Sequence, residues 1–254
     1  MAEDGKRTLL KLSGEALAGE ERFGIDASIL EFVATQIKAA HDLGHQIAIV
    51  VGAGNILRGS AVSGNGSMDR VTGDYAGMLA TIINSLALQD AIEKTGVGVC
   101  LQSALKVEGI AGPFVCRQAV EEIERGHVVI FAGGTGNPYF TTDTAAALRA
   151  VQIGADVLLM AKNKVDGVYE ANPREEPSAR RFVTLSYMEA LTRRLAVMDG
   201  AALALCMANS LPIMVFDLMA PNGITRVLQG EKLGTYVGDV DTVMASAQPA
   251  ASSS

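Results

Sequence analysis

Short apolar runs recur along this chain, and several of them end in a turn that carries glycine together with lysine or arginine. Apolar runs of this length are typical of strands that are buried on both faces. Stretches of helical periodicity separate them, so strands and helices alternate along the chain. This alternation predicts an α/β fold, a three-layer αβα sandwich with a mostly parallel central sheet. The four turns are 11–14, 52–58, 133–142 and 161–164.

The most distinctive turn is Gly-Gly-Thr-Gly-Asn-Pro-Tyr-Phe-Thr-Thr-Asp at 133–143. It joins a predicted buried strand at 128–132 to a predicted helix that begins near Thr144. Glycines let the backbone approach a ligand closely, and the free N–H groups of a helix start attract an anion. The pattern therefore predicts an anion site, with phosphate as the usual anion. The alternative is an ordinary strand–loop–helix connection capped by Thr142 or Asp143.

The other three turns carry cations. Lys11 interrupts an apolar strand, where it either snorkels at a strand edge or delivers a cation to a phosphate at the strand's carboxyl end. The serine–glycine pair that follows favours the second interpretation. Arg58 follows the turn 52–55 and is either a bidentate phosphate ligand or a solvated loop cation. Lys162 and Lys164 repeat the pattern, with a solvated charged turn as the alternative.

The bulk composition fits one globular domain over residues 1–245. The chain has 254 residues, of which 49% are apolar and 19% are charged, enough to bury a sizeable core. The segment 246–254 is rich in alanine and serine, and we expect it to be a disordered tail. The net charge of −7 argues against a nucleic-acid-binding protein, which needs clustered lysine and arginine.

Three cysteines with no close pair predict a reducing, cytoplasmic compartment with buried thiols. No spacing typical of metal ligands occurs, so no protein-held metal site is expected. No apolar run reaches the length of a membrane span, which predicts that the protein does not insert into a membrane.

The absence of three known sequence signatures narrows the range of functions. The chain has no Walker A pattern, no G-x-G-x-x-G at its first strand–helix turn, and no Ser–His–Asp order. Cationic side chains that converge on glycine turns instead suit phosphoryl transfer, because that reaction needs positioning and charge neutralisation more than covalent chemistry.

Taken together, these stretches resemble the amino acid kinase family, and within it the bacterial uridylate (UMP) kinases. The resemblance covers roughly residues 7–238. Lys11 with Gly14 is shared across the wider family, whereas the string Thr-Gly-Asn-Pro-Tyr-Phe-Thr-Thr-Asp at 135–143 is specific for the UMP branch. The other matching segments are 11–17, 23–26, 52–55 with Arg58-Gly59, Gly73-Asp74 and 164–169.

The resemblance implies transfer of the γ-phosphoryl group of ATP to UMP with Mg²⁺, giving UDP and ADP in pyrimidine nucleotide biosynthesis. It implies an acceptor lobe over about 7–154 and an ATP lobe over about 155–245. The implied catalytic residues are Lys11, Arg58, Asp143 and Lys164, and Asp143 is expected to organise the lysines and the magnesium. No general base is required, because a phosphate oxygen of UMP is already an anionic nucleophile.

The resemblance also assigns the two substrates to residues. Spacing alone predicts that Asp74 is a helix N-cap or first-turn acid, whereas the resemblance implies that it binds the ribose of UMP. The implied ATP-binding residues are Lys11, Leu12, Ser13, Gly14, Gly54, Arg58, Asn163, Tyr169 and Asn172. The implied UMP-binding residues are Ala53, Asp74, Thr135, Gly136, Asn137, Pro138, Tyr139, Phe140, Thr141 and Thr142.

Three further properties are implied: inhibition by UTP, activation by GTP, and assembly into a homohexamer. The segment that matches a GTP-binding loop is Gly19, Glu20, Glu21, Arg22, Phe23 and Gly24. Arg22 is suited to a phosphate, but two neighbouring glutamates oppose an anion, so a solvated loop remains the alternative.

The chain departs from the family pattern at three places. Ala53 stands where glycine is frequent, and a backbone N–H contact survives there if φ stays negative. Asn172 stands where Asp-Pro is usual, so a hydrogen bond persists without the charge. The segment 59–67 is slightly long.

Two other functions fit the same residues. One is an enzyme of the same family that phosphorylates a different acid or phosphate, and the string at 135–143 argues against it. The other is a non-catalytic nucleotide- or oxyanion-binding protein. The joint presence of Lys11, Arg58, Asp143 and Lys164 argues against it, because storage needs no aligned transfer geometry.

Overall fold

The computed structural model describes residues 5–21, 23–57, 68–173, 175–176 and 178–245. Within these ranges the strands are β1 Arg7–Leu12, β2 Gln46–Val51, β3 Val99–Ser103, β4 Gly112–Pro113, β5 Val128–Ala132, β6 Val157–Lys162, β7 Phe182–Ser186, β8 Ile213–Asp217, β9 Thr235–Gly238 and β10 Val243–Met244. The helices are α1 Ala27–Asp42, α2 Arg70–Glu93, α3 Cys116–Glu124, α4 Thr142–Gln152, α5 Tyr187–Thr192, α6 Gly200–Ala208 and α7 Gly223–Leu228, with a short 3-10 helix at Gly14–Ala18.

All ten strands of the described residues form one sheet, in the order β10-β7-β9-β8-β6-β1-β2-β5-β3-β4. The pairs along the middle of the sheet, from β8 to β3, are parallel. The pairs β8–β9 and β7–β10 are antiparallel. The predicted mostly parallel sheet is therefore confirmed, and the carboxyl ends of its central strands meet at one edge, where ligands bind in such folds.

Two strands differ from the sequence-based expectation. β7 lies at Phe182–Ser186, where the sequence pattern does not predict a strand. β9, expected at the edge of the sheet, lies between β7 and β8. Both segments are short, and their pairing comes from strands distant in sequence, which periodicity alone does not reveal.

Side-chain alternation divides the buried residues of the sheet into two cores, one on each face. Leu9 of β1, Val50 of β2 and Met160 of β6 pack under α3, α4, α5 and α6. Leu10 and Leu159, their neighbours in sequence, pack under α1, α2 and α7 on the other face. This is the predicted three-layer αβα sandwich, and it determines which side chains at the strand ends share a face.

Two helix starts correct the alternatives drawn from spacing. Asp69 caps α2 by accepting from the backbone N–H groups of Val71 and Thr72, so Asp74 lies in the second turn and is not the cap. Thr141, rather than Thr142 or Asp143, caps α4. Both true caps directly precede the first helical residue, where their side chains reach the unpaired N–H groups.

The single sheet runs through both halves of the chain. The division into an acceptor lobe and an ATP lobe remains an expectation. None of the helices in the described ranges has the length and hydropathy that a bilayer crossing requires.

Candidate active site

An ion pair lies at the carboxyl edge of the sheet. Lys11 of β1 shares the sheet face of Leu9, and α4 covers that face. Its Nζ lies 2.7 Å from Oδ1 of Asp143, and the two side chains are only 13% and 18% exposed. Asp143 stands in the first turn of α4, where a carboxylate is stabilised by the helix dipole. Lys11 is therefore directed toward the helix start and does not snorkel outward.

Lys162 is a second cation at the same place, and it was not among the catalytic residues expected from the sequence. β6 pairs with β1 so that Met160 lies beside Lys11, and Lys162 projects from the same face two residues further on. Its Nζ donates to the carbonyl oxygen of Val197 at 2.8 Å. Burial lowers the pKa of Lys162, while the charge of Asp143 opposes that shift and the charge of Lys11 adds to it.

Strand alternation contains the signal that identifies Lys162. Leu158 and Met160 are buried under the same helices as Leu9, so the next residue of that face is Lys162. Lys164, the residue expected to be catalytic, lies beyond the strand in a turn with a φ of 59°. Its Nζ lies 3.2 Å from Oε1 of Glu20, and its side chain is 57% exposed.

The glycine turns that follow β1 and β2 touch each other. A Cβ atom on Gly14 would lie 2.6 Å from the carbonyl oxygen of Gly52 and 2.6 Å from the backbone nitrogen of Gly54. No real side chain tolerates such contacts, so glycine at position 14 is what allows the two turns to pack together. Leu12 is buried at the end of β1, and Ser13 begins the 3-10 helix without capping it through its side chain.

A cleft of about 230 Å³ opens between the turn after β2, the start of α2 and the turn after β5. Its walls include six of the residues expected to bind UMP: Ala53, Asp74, Thr135, Phe140, Thr141 and Thr142. They also include residues that the sequence did not single out, among them Arg70, Met78 and Thr81. Helical spacing places those three near Asp74 on α2, and this spacing is the signal that could have identified them.

Asp74 ties α2 to the loop after β5. Its Oδ2 accepts a hydrogen bond from the backbone N–H of Tyr139 at 2.7 Å, and its two oxygens accept from Nε of Arg70. The guanidinium of Arg70 also lies over the Tyr139 ring, 5.2 Å from its centroid. Tyr139 has a φ of 71°, a strained conformation for a residue with a side chain, and this contact helps to hold it.

Within the same loop, the Thr135 hydroxyl donates to the carbonyl oxygen of Asn137 and accepts from the Asn137 N–H, each at 3.1 Å. Gly133, Gly134 and Gly136 all have positive φ. Gly136 and Pro138 carry no side-chain donor, so in this part of the loop backbone groups supply most of the polar surface. Backbone donors and acceptors have fixed positions, so they can discriminate strongly between ligands with different hydrogen-bonding patterns.

Asp199 joins this region to α6. It accepts hydrogen bonds from the hydroxyl of Thr141, from the hydroxyl of Thr144 at 2.8 Å, and from the N–H of Ala202 at 2.9 Å. Burial alone would raise the pKa of Asp199, but these hydrogen bonds outweigh it and hold the pKa below its usual value. The segment 197–199 therefore positions both Lys162 and the start of α4.

A second pocket has a volume of about 600 Å³. Its walls include Lys162, Tyr169 and Asn172. The Tyr169 hydroxyl donates to Oδ1 of Asp166 at 2.6 Å, and burial together with this bond raises the pKa of Tyr169 to about 12. The Asn172 side chain donates to Glu175 at 2.8 Å. Asn163 follows Lys162 directly in the turn after β6.

Described residues of the segment 19–24 contact the turn after β6 and the turn after β2. Glu20 reaches Lys164, as described above, and the carbonyl oxygen of Gly24 accepts from Nδ2 of Asn55 at 2.7 Å. The rest of the segment includes Glu21 and Phe23, whose side chain is 71% exposed. Two residues singled out from the sequence, Arg22 and Arg58, lie outside the described residues, as do the segment 59–67 and the tail 246–254.

The arrangement can align two anionic groups. Lys162 lines the second pocket, and Thr142, the residue before Asp143, lines the cleft, so two cations and one carboxylate lie close to both. Cations fixed there would neutralise charge as it develops between an acceptor in the cleft and a donor in the second pocket. No covalent nucleophile is needed for that chemistry.

Similarity to known proteins shows the family of this chain. The model of the amino acid kinase family matches residues 6–217. The chain belongs to the amino acid kinase family.

Solved structures define the similarity more narrowly. A crystal structure of a UMP kinase from Bacillus anthracis is 37% identical and matches with a TM-score of 0.91, covering 95% of this chain and 99% of that one. A UMP kinase from Ureaplasma parvum is 38% identical, with a TM-score of 0.87 over 92% of this chain and 99% of that one. A uridylate kinase from Archaeoglobus fulgidus is 28% identical, with a TM-score of 0.71 over 91% and 100% of the two chains. The resemblance seen in the sequence and the predicted fold are confirmed.

Proposed function

We propose that this protein is a UMP kinase, which transfers the γ-phosphoryl group of ATP to UMP and releases UDP and ADP. The observation that carries the proposal is the Lys11–Asp143 ion pair. Asp143 directly follows Thr142, which lines the acceptor cleft, and its charge acts on Lys162, which lines the second pocket. The membership of the amino acid kinase family and the similarity to solved UMP kinases support it. The product UDP places the reaction in pyrimidine nucleotide biosynthesis.

We assign the acceptor nucleotide to the cleft. Its phosphate would lie against Ala53 and the start of α4, its ribose against Asp74, and its base against the segment 135–140. Asp74 accepts from the Tyr139 N–H at Oδ2 and from Nε of Arg70 at both oxygens, which leaves a lone pair of Oδ1 for a ribose hydroxyl. The attacking phosphate oxygen is anionic, so the site need not remove a proton from it.

We assign the donor nucleotide to the pocket beyond β6. Tyr169, Asn163 and Asn172 would hold its adenosine, and its phosphates would run toward Gly14, Gly54 and Lys11 along the contact between the two glycine turns. Lys162 would neutralise the charge on the phosphoryl group in flight, since it lies beside Lys11 and Asp143. Arg58 remains a further proposed catalytic cation. Lys164, also expected from the sequence, should contribute less than Lys162, because it contacts Glu20 on an exposed surface. These roles preserve the division into an acceptor lobe and an ATP lobe.

The donor set fits a magnesium ion that arrives with ATP. Within the described ranges no three His, Cys, Asp or Glu side chains form a group able to hold a metal. Magnesium in kinases is commonly held by substrate phosphates with one or two carboxylates, so Asp143 would suffice as its protein contact. When bound, the ion would offset charge on the transferred phosphates.

The site should select an acceptor nucleotide whose base is uracil. Uracil presents an N3–H donor and a C4 carbonyl, whereas cytosine presents a ring acceptor and an amino donor. Backbone groups fixed around Thr135 to Asn137 would be left unpaired by cytosine, which discriminates strongly. We expect UMP to exceed CMP by at least about 10²-fold in kcat/KM.

The direct test is ADP production with UMP, CMP and glutamate as parallel acceptors. Turnover with UMP alone supports the proposal, and comparable efficiency on CMP contradicts the uracil-specific site. Turnover with glutamate and not UMP would favour another acceptor within the family. ATP and UMP binding without turnover would favour the non-catalytic alternative.

We also propose regulation by nucleotides. UTP should inhibit, because it carries the same uracil and ribose as UMP. GTP activation through the segment 19–24 requires GTP to bind the active state more tightly than the inactive one. Glu20 already joins this segment to Lys164, so a ligand there would lie close to the site. By reciprocity, saturating UTP should weaken GTP binding measured by calorimetry, and equal binding in both titrations would refute the coupling.

We propose that copies of this chain associate through α2, as part of the expected hexamer. Val71, Tyr75, Leu79, Ile83 and Leu86 form a stripe on this helix, and they are 38–51% exposed. Apolar stripes of this length on a long helix mark protein interfaces. Sedimentation analysis should show an oligomer that dissociates when Leu79 and Ile83 are replaced by glutamate. For the compartment we propose the cytoplasm, in keeping with three unpaired cysteines.

A further inference from the structure

A pair of buried asparagines joins α2 to the turn after β2. Asn55 is 1% exposed and Asn84 is 0% exposed. Nδ2 of Asn84 donates to Oδ1 of Asn55 at 2.7 Å, and Nδ2 of Asn55 donates to Oδ1 of Asn84 at 3.0 Å. A reciprocal amide pair of this kind has one geometry, because each carbonyl faces the other's NH₂ group.

The remaining donors of the pair reach backbone atoms of the site. Asn84 also donates to the carbonyl oxygen of Gly52 at 2.7 Å. The side chain of Asn55 also donates to the carbonyl oxygen of Gly24 at 2.7 Å, and the backbone carbonyl oxygen of Asn55 accepts from the Gly24 N–H at 2.9 Å. The pair thus holds the turn after β2 and the segment 19–24 against one helix.

The turn held in this way touches the glycine turn after β1. A Cβ on Gly14 would lie 2.7 Å from Oδ1 of Asn55, as well as 2.6 Å from the Gly52 carbonyl oxygen. Two turns packed this closely shift together or not at all. The direction of the Gly52 peptide is therefore coupled to the position of Gly14.

The same helix also holds the turn after β5. The Thr81 hydroxyl, less than one helical turn from Asn84, accepts from the N–H of Gly133 at 2.9 Å, and Asp74 accepts from Tyr139 as described. α2 therefore contacts the backbone of both glycine turns that border the acceptor cleft. Asn84 is the point at which it reaches the turn that also meets Gly14.

We propose that Asn84, acting through Asn55, is a positioning residue for phosphoryl transfer. It would hold the turn after β2, which borders the acceptor cleft, in position relative to the turn after β1, along which the donor phosphates are proposed to run. This inference rests on the proposed function. Loss of the pair would leave both nucleotides able to bind while their phosphates meet in the wrong geometry. A displacement of about 1 Å in such an alignment can cost about 10²-fold in rate.

The test compares Asn84→Leu with Ser85→Ala. The first removes both amide donors while keeping a side chain of similar size. Ser85 is the matched control, because it is equally buried on the same helix and its hydroxyl donates to the backbone carbonyl oxygen of Thr81 within that helix. Steady-state rates with UMP and ATP varied in turn, together with thermal melting, separate alignment from folding.

We expect Asn84→Leu to lower kcat at least about tenfold, with the KM for ATP within about threefold of wild type. Ser85→Ala should keep both parameters within about threefold. If the kcat of Asn84→Leu falls no further than that of the control, the positioning role is wrong. A loss of kcat that merely follows a loss of folded protein in melting would also contradict it.

Amide hydrogen exchange gives a measurement that does not depend on activity. Exchange in peptides covering 48–57 should accelerate in Asn84→Leu and stay unchanged in Ser85→Ala. If wild-type protein does not phosphorylate UMP, the proposed function fails, while faster exchange would still support the anchoring of the turn. Unchanged exchange in Asn84→Leu would overturn the inference even if the enzyme phosphorylates UMP.

Discussion

The carboxylate of Asp143 lies 2.7 Å from Nζ of Lys11, so the end of the first strand and the first turn of α4 meet at one ion pair. Lys162 lies close enough for both charges to affect its pKa, in opposite directions. One carboxylate therefore balances two half-buried cations. Counted together, these three groups keep a net positive charge, which suits them to anionic phosphates.

Replacing Asp143 by asparagine should keep the shape of the site and remove this balance. We expect kcat to fall by at least about 10²-fold, because the lysines lose the group that orients them. The pKa of Lys162, already lowered by burial, should fall further without the carboxylate. In a kcat–pH profile, the loss of activity on the alkaline side should move to lower pH. A profile superimposable on that of wild type would contradict the coupling.

Lys162→Met and Lys164→Met form a matched pair that decides which cation of the turn acts in catalysis. Lys162 faces Lys11 and Asp143, whereas Lys164 contacts Glu20 on an exposed surface. We expect a fall in kcat of at least about 10²-fold for Lys162→Met and less than about fivefold for Lys164→Met, since exposed ion pairs contribute little. The reverse order would restore the sequence-based assignment of Lys164.

Arg58→Ala should act on the transition state more than on substrate binding. Arg58 follows the turn that carries Gly54, and arginine is suited to bridge two phosphates. We expect kcat to fall by roughly 10²-fold, with an unchanged melting temperature. Single-turnover kinetics would distinguish a slower phosphoryl-transfer step from slower product release. An unchanged kcat would remove Arg58 from the mechanism.

Asp199→Ala should destabilise the protein in a pH-dependent way. The folded pKa of Asp199 lies below its usual value, so its contribution to stability is present above about pH 4 and is lost as pH falls through the folded pKa. We expect a loss of about 1–3 kcal/mol in the free energy of unfolding at pH 7, because two hydroxyls and one N–H lose their acceptor. Urea unfolding at pH 7 and pH 3 measures it.

At pH 3 the difference between the variant and wild type should shrink, since that pH lies below the usual pKa of an unfolded aspartate, about 3.9. The stabilisation is lost from there downward, as pH falls toward the lowered folded pKa. An equal difference at both pH values would show that its charge contributes nothing. Asp199→Asn, which keeps one acceptor oxygen, should lie between the two proteins at pH 7.

The sequence by itself determined the layer architecture, because apolar runs and helical periods are local patterns that dictate which faces are buried. It also identified Lys11 and the string 135–143, since their residue types suit a phosphate at a strand end. The family resemblance added Asp74 and Asp143, and both lie at the site. The strand β7 and the interior position of β9 were missed, because their strand pairing is supplied by distant parts of the chain.

Only the tertiary structure decided which side chains meet. Lys162 and Lys164 look equivalent in sequence, and the register of β6 against β1 directs the first toward Asp143 while the turn carries the second away. The Asn55–Asn84 pair, 29 residues apart, has no sequence signature at all. Hydrogen bonds and ion pairs depend on distances of a few tenths of an ångström, and packing, not local pattern, sets distances between elements remote in sequence.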